Sequence, residues 1–155
     1  MKNNHLYSLI GFATLVVLAL GAFMACDDDD SWDPSAPPGW NTFYDRRLNG
    51  CWELEQANGR EVYGMDVNYL DFYGNGRGRY FYYTDGQRDS ERMAYWCQDS
   101  YSGVSNYQMN IKYEYSSPST VNYWFTDSGY RLWMQWGTGG GVVTYVYRAV
   151  DAPGW

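Results

Sequence analysis

Histidine is almost missing from this chain of 155 residues, which contains one, His5. His5 lies in an N-terminal segment that has the features of an export signal, and the rest of the chain has no histidine. Without that residue there is no Ser-His-Asp or Cys-His catalytic site and no imidazole ligand for zinc. We therefore expect no catalytic residue, no metal and no cofactor.

Basic residues are also scarce, with 11 Lys and Arg against 18 Asp and Glu and a net charge of -7. The N-terminal segment contains Lys2 and no acid, so its removal leaves 10 basic against 18 acidic residues, a charge of -8. Binding to nucleic acid depends largely on Lys and Arg that neutralise phosphates. We expect no nucleic-acid partner.

The first 25 residues have the order of parts of an export signal. Lys2 supplies a positive charge, an apolar run covers residues 9–25, and the small residue Ala25 precedes Cys26. A spanning helix needs about 20 apolar residues, whereas a shorter run between a basic start and small residues is typical of a signal peptide. A membrane anchor with a free thiol is the alternative.

The Ala25-Cys26 step resembles the lipobox of bacterial lipoproteins, although Phe23 and Met24 depart from its commonest pattern. The resemblance implies that residues 1–25 are a lipoprotein signal peptide and that Cys26 carries a lipid. A lipid on Cys26 would make the membrane a partner of the mature protein.

An acidic run, Asp27 to Asp30, follows Cys26 directly. A block of like charge stays solvated, so residues 26–45 are predicted to form an acidic, Pro-containing tether. A plain spacer explains this segment. The run also resembles the surface-export signal of Bacteroidetes lipoproteins, which implies an outer-membrane protein that is exposed on the cell surface, or otherwise periplasmic.

Aromatic residues make up 20% of the chain and occur in short alternating runs, which favours strands over helices. In the clearest run, residues 107–115, apolar and polar side chains alternate without a break. Alternation and turn residues together predict eight strands, at 50–56, 68–73, 78–84, 87–98, 107–115, 120–126, 130–136 and 142–150.

Short turns such as Asp85-Gly86 predict hairpins, so successive strands should be antiparallel neighbours. A meander of eight strands can close on itself, which removes exposed sheet edges. We therefore predict an all-β fold, a small eight-stranded antiparallel up-and-down barrel over residues 46–150, followed by a C-terminal tail, 151–155.

Gly50-Cys51-Trp52, at the start of the first strand, resembles the Gly-x-Trp motif of lipocalins. Arg148, in the last strand, stands where that superfamily has an arginine packed over the motif tryptophan. The resemblance implies a lipocalin-like domain of the Bacteroidetes lipoprotein type, in which Trp52 and Arg148 are structural. A guanidinium over an indole is itself stabilising, and the first and last strands of a closed meander are neighbours.

Cys51 and Cys97 share one end of such a barrel, and disulfides persist in the exported compartment. A disulfide between them is topologically allowed. Against it, an inward Trp52 turns Cys51 outward, and thiols on diverging Cβ vectors do not pair.

Glu53 and Glu55 lie two apart on the first strand and resemble the paired carboxylates of a glycosidase. They share the face opposite Trp52, which places them in solvent. A glycan-active enzyme is thus the weakest alternative, and we expect no enzyme.

The surplus of aromatic side chains favours a binding module for a small apolar or glycan ligand. The candidate ligand-binding residues are Trp124 and Trp133, which could form a platform on the outer face, with Tyr113 and Tyr123. A cross-strand aromatic ladder without a ligand is the favoured explanation of the tryptophans. A protein partner, as in small protease-inhibitor barrels, is the alternative function.

Overall fold

The computed structural model describes residues 32–40, 44–98 and 107–154. The predicted signal peptide, Cys26 and the acidic run lie outside the described residues. Residues 32–40 contain no helix or strand, and a turn lets the Trp40 N–H donate to the Pro37 carbonyl at 3.1 Å. Within the described ranges, no helix has the length and apolarity needed to cross a membrane.

The described residues form nine strands of one antiparallel sheet. They are β1 Gly50–Ala57, β2 Arg60–Glu61, β3 Tyr69–Phe72, β4 Arg77–Thr84, β5 Gln87–Cys97, β6 Tyr107–Tyr113, β7 Ser119–Thr126, β8 Arg131–Thr138 and β9 Gly141–Val150. β1 pairs with both β3 and β9, which closes eight strands into a barrel, and β2 pairs only with the end of β1. The predicted eight-stranded up-and-down barrel is confirmed.

The strands form where the sequence alternates. In β6, Met109 and Ile111 are fully buried on the inward face, whereas Gln108 on the outward face is exposed and Asn110 beside it is 6% exposed. Asp85 and Gly86, between β4 and β5, both have positive φ, 52° and 77°, as a two-residue hairpin turn requires. The eight predicted strands match the observed bounds to within two residues.

The pairing of β1 with β9 contains one irregularity, and it lies in β1. The register shifts between Leu54 and Gln56, which marks a β-bulge at Glu55. Beyond the bulge, Asn58 and Gly59 turn the chain back into the two-residue β2. β2 is not among the predicted strands, because two residues are too few to show alternation.

The two ends of the barrel differ. We call the end where β1 starts and β9 finishes the closed end, because the 3-10 helix Arg46–Leu48 packs there and Leu48 is completely buried in the core. We call the opposite end the hairpin end, because the turns leading out of β1, β4 and β8 lie there. The other 3-10 helices are Gly64–Asp66 and Asp127–Gly129.

The chain just before the barrel is part of the closed end. Asp45 is buried, and the ring of Tyr44 packs edge-on against Tyr95, with centroids 5.9 Å apart. Gly76 faces the Tyr44 ring at φ 81°, and a Cβ there would overlap it. The predicted tether, 26–45, therefore extends too far, because its last two residues pack into the barrel.

Candidate functional site

The four candidate ligand-binding residues lie in three different places. Trp124 and Trp133 are directly opposed on β7 and β8, half-buried on the outer face. Their rings stack at a centroid distance of 5.6 Å and an angle of 15°, and the Trp133 indole N–H donates to the Thr126 hydroxyl at 3.0 Å. Because the rings cover each other's faces, they form a cross-strand ladder.

Tyr123 is part of the closed end. It has no exposed surface, and its hydroxyl donates to the Oδ2 atom of Asp45 at 3.0 Å. Its assignment as a ligand-binding residue is wrong, because a fully buried and bonded hydroxyl has nothing to offer a ligand. Tyr123 is structural.

Asp45 collects several of the polar contacts of the closed end. Both the backbone N–H and the guanidinium of Arg47 donate to its carboxylate, the former at 3.0 Å, in addition to Tyr123. Burial by itself would raise the pKa of Asp45, but the hydrogen bonds from Arg47 outweigh it and hold the pKa below 3.8. The carboxylate is therefore charged and paired in the folded protein.

Arg47 supplies the stacked guanidinium that was expected of Arg148. Its Cζ atom lies 4.4 Å from the ring centre of Tyr107 and 4.7 Å from that of Phe125. Phe125 in turn contacts the Trp52 ring at 5.8 Å. Arg47 thus closes an aromatic stack at the closed end.

Arg148 does not pack over the Trp52 indole, and that expectation is wrong. Trp52 is 3% exposed and faces the core, where its indole N–H donates to the Leu48 carbonyl at 2.7 Å. Arg148 follows the inward Tyr147 and so points outward, where its guanidinium donates to the Glu53 carboxylate at 2.7 Å. The strand alternation decides the matter, and Trp52 alone is an interior residue.

Cys51 and Cys97 are both buried free thiols, so the disulfide considered above is not formed. Cys97 belongs to the interior core, whereas Cys51 precedes the inward Trp52 and lies on the opposite side of the barrel wall. Burial raises the pKa of the Cys51 thiol to about 12. The alternation that turns Cys51 outward explains the absence of a bridge.

Glu53 and Glu55 are engaged in ion pairs on the outer face. Glu53 binds Arg148, and the Glu55 carboxylate accepts from Arg131 at 2.9 Å. Each carboxylate thus has its own arginine, so the two do not converge as an acid and a base. Among the described residues, no group of three or more potential ligands could hold a metal ion.

A cluster of tyrosines lines the interior towards the hairpin end. We call Tyr80, Tyr113, Tyr145 and Tyr147 the tyrosine cluster. The rings of Tyr80 and Tyr113 are 5.1 Å apart and those of Tyr145 and Tyr147 are 6.4 Å apart. All four pack in or against the core. Of the four predicted ligand-binding residues, Tyr113 is the one that belongs to this cluster.

The hydroxyls of the tyrosine cluster have no hydrogen-bond partner in the part of the chain that is described. The side chain of Tyr147 is only 2% exposed. Burial raises the pKa of Tyr80 to about 12 and raises those of Tyr113 and Tyr147 well above their usual range. Tyr80 and Tyr113 nevertheless keep accessible surface, as groups lining an interior space would.

Two further polar groups face the same interior. Glu91 is paired in register with Tyr80, and its charge raises the pKa of Tyr80 and Tyr113 after the larger effect of their burial. Asn68 shares the inward face of Leu70, and its Oδ1 atom is buried without a partner among the described residues. Sequence reasoning missed Tyr80, Tyr145, Tyr147 and Glu91, although alternation with their neighbours indicates that they point inward.

Comparison of the chain with protein-family models, curated proteins and solved structures finds no match. The fold and the arrangement of side chains are therefore what bears on function.

Large apolar side chains surround the hairpin end. Tyr63, Met65 and Tyr115 are 69%, 64% and 83% exposed. Met65 sits next to the Gly86 turn, and the Tyr115 N–H donates to Glu91 at 3.4 Å, which places both side chains near the turns of this end. The hairpin end thus combines an apolar rim with an interior that holds unpartnered polar atoms.

Proposed function

We propose that the protein is a non-enzymatic binding module that holds one small ligand in the barrel interior at the hairpin end. The observation that carries the proposal is the tyrosine cluster itself: Tyr147 is only 2% exposed, and Tyr80, Tyr113 and Tyr145 pack against the same core. None of the four hydroxyls forms a hydrogen bond to a described residue. Each is therefore available to a ligand that donates or accepts a hydrogen bond.

The size of the barrel suits this role. Eight strands enclose an interior that is filled by side chains or holds one small ligand. Here Leu48 is buried at the closed end, and phenol rings, with apolar faces and polar tips, pack against the core towards the other end. Such a lining accepts an apolar molecule with a few polar groups, or a glycan. The resemblance to lipocalins, proposed from Gly50-Cys51-Trp52, points to the same use of the interior.

The lipid anchor belongs to the same proposal. A lipid on Cys26 would hold the protein in the outer membrane, with the acidic run directing it to the cell surface. Tyr44, at the N-terminal side of the barrel, packs against the closed end. Labelling with a radioactive fatty acid tests the anchor, since it should mark the natural chain and leave Cys26→Ala unlabelled.

A protein partner is the second candidate, and the exposed rim of the hairpin end favours it. Tyr63, Met65 and Tyr115 are aromatic or flexible apolar side chains of the kind enriched at protein interfaces. In this case the partner would bind the rim itself and the interior would play no part.

Tryptophan and tyrosine fluorescence distinguishes the two candidates. The purified protein is titrated with a panel of lipids, bile acids and oligosaccharides. A response that survives in Trp124→Ala and Trp133→Ala but weakens in Tyr147→Phe supports the interior site. A response lost with the outer tryptophans and unchanged in Tyr147→Phe would place the ligand on the outer face. Silence across the panel, with a protein captured from cell lysate by the natural chain and not by a Tyr63→Ser variant, would favour the rim.

A further inference from the structure

We infer that the ligand at the hairpin end is a small organic cation, a primary ammonium group on an apolar body, held by the Glu91 carboxylate among the rings of the tyrosine cluster. The inference rests on the proposed function and names the ligand class of the same site. Three features carry it: the sign of the charges that face inward, the unpaired state of Glu91, and the kind of hydrogen-bonding atoms left without partners.

The charges that face the interior are of one sign. On β5, Asp89 and Glu91 alternate with the buried Met93 and therefore share its inward side. The basic residues of the eight strands that close the barrel occupy outward positions of its wall, opposite to the core side chains: Arg77, Arg79, Arg88, Arg92, Lys112, Arg131 and Arg148. Arg60, in β2, is exposed to solvent. An anionic ligand would find no cation at these inward positions, whereas a cationic ligand would find Glu91, with the exposed Asp89 nearer the hairpin turn.

Glu91 differs from the other glutamates of the barrel strands. Glu53, Glu55 and Glu114 each form an ion pair with an arginine on the outer face. Glu91 forms no ion pair within the described residues, and its Oε2 atom accepts only a long hydrogen bond from the Tyr115 N–H, at 3.4 Å. A half-buried carboxylate without a countercharge is costly, and a bound cation would supply one.

Two acids and one base lie near Glu91. Burial raises the pKa of Glu91, the hydrogen bond from the Tyr115 N–H lowers it, and the nearby Glu114 and Asp89 raise it. Lys112 lowers it in part, but the Lys112 ammonium donates to the Ser116 carbonyl at 2.9 Å and so already has a partner. The site therefore keeps a net negative character.

The aromatic rings and the hydrogen-bond acceptors without partners favour an ammonium group as the ligand's charged part. Tyr80 stacks on Tyr82 at 5.0 Å and 24° and contacts Tyr113, so ring faces with negative potential line the space beside Glu91. The buried Asn68 Oδ1 atom can only accept a hydrogen bond, as can the ionised carboxylate. A primary ammonium donates up to three hydrogen bonds and carries the positive charge that both features attract.

Titration calorimetry with 2-phenylethylamine and its neutral isostere 2-phenylethanol tests the inference on the purified full-length protein. We expect the amine to bind at least about tenfold more tightly than the alcohol, since a good charge contact exceeds 1.4 kcal/mol. The anion 3-phenylpropionate should bind more weakly than both. These three measurements need no variant. Equal binding of amine and alcohol, or preference for the anion, would overturn the inference.

Variants locate the effect. Glu91→Gln should reduce the affinity for the amine about tenfold and leave that for the alcohol unchanged, whereas Glu53→Gln, an outer-face acid, should change neither. Unchanged amine binding in a folded Glu91→Gln protein would contradict the inference. If neutral ligands bind in a Tyr147-dependent way without preference for the amine, the ligand class is wrong and the binding module stands. If no ligand depends on Tyr147, both proposals fail.

Discussion

Both ends of the barrel contain tyrosine and acidic side chains. Their polar atoms are hydrogen-bonded at one end, whereas at the other the hydroxyls lack partners among the described residues. At the closed end, Arg47 and Tyr123 both donate to Asp45, and Leu48 beside them is completely buried. At the hairpin end, the hydroxyls of Tyr113 and Tyr147 have no partner in the described part of the chain. Paired buried groups rigidify a fold, and unpaired ones cost stability. We therefore assign stability to the closed end and binding to the hairpin end.

The largest effect should come from the centre of the closed end. Trp52→Ala removes an almost completely buried indole and its hydrogen bond to the Leu48 carbonyl. We expect a loss of about 3 to 5 kcal/mol in the free energy of unfolding, measured by denaturant titration. Trp124→Ala, on the outer face, is the matched control and should cost clearly less. Equal losses would contradict the interior position of Trp52.

The next largest effect should come from the carboxylate of the closed end. Asp45→Asn weakens the bonds from Arg47 and Tyr123, and we expect a loss of about 2 to 3 kcal/mol near pH 7. The pKa of Asp45 is lowered on folding, so its contribution is present above about pH 4 and is lost as the pH falls through the native pKa. The difference between the two proteins should therefore shrink on acidification.

Denaturant titrations at neutral and at acid pH check this. A difference that stays constant down to acid pH would show that the carboxylate charge is not what stabilises the closed end.

A single chemical change made at both ends gives the sharpest form of the comparison. Tyr123→Phe removes a hydroxyl that donates to Asp45, so we expect a loss of about 1.5 kcal/mol. Tyr147→Phe removes a hydroxyl that forms no hydrogen bond to a described residue, so the free energy of unfolding should stay the same or rise slightly. Thermal and denaturant melts of both variants measure this. A larger loss for Tyr147→Phe would reverse the assignment of the two ends.

The strands could be predicted because alternation is written locally in the sequence. The run 107–115 marks β6, Tyr107–Tyr113, and the Asp85-Gly86 pair marks the turn after β4. The closure of the barrel could also be predicted, because a meander of eight strands joined by hairpins can close on itself. β2, Arg60–Glu61, was beyond this reasoning, since a two-residue strand is defined by its partner and not by its own pattern.

The sites were harder to predict, for two reasons. Arg148 was assigned by resemblance although its neighbour Tyr147 is an inward residue, and alternation should have taken precedence. Arg47 acts from a 3-10 helix outside the strand pattern, so only the folded chain brings it over Tyr107. Likewise, alternation indicates that Tyr147 points inward, but whether its hydroxyl finds a partner depends on every other strand.

The smallest effect should come from Arg148, and it separates the two arginines. Arg148 is 54% exposed in its ion pair with Glu53, and such surface pairs contribute at most about 1 kcal/mol. Arg148→Ala should therefore lower the free energy of unfolding by less than about 1 kcal/mol, and high salt should abolish the difference by screening the pair. Arg47→Ala should cost more, because it removes both the ring contacts and the partner of the buried Asp45. Denaturant titrations at low and high salt measure both, and a larger, salt-insensitive loss for Arg148→Ala would mean that this arginine packs against the barrel core after all.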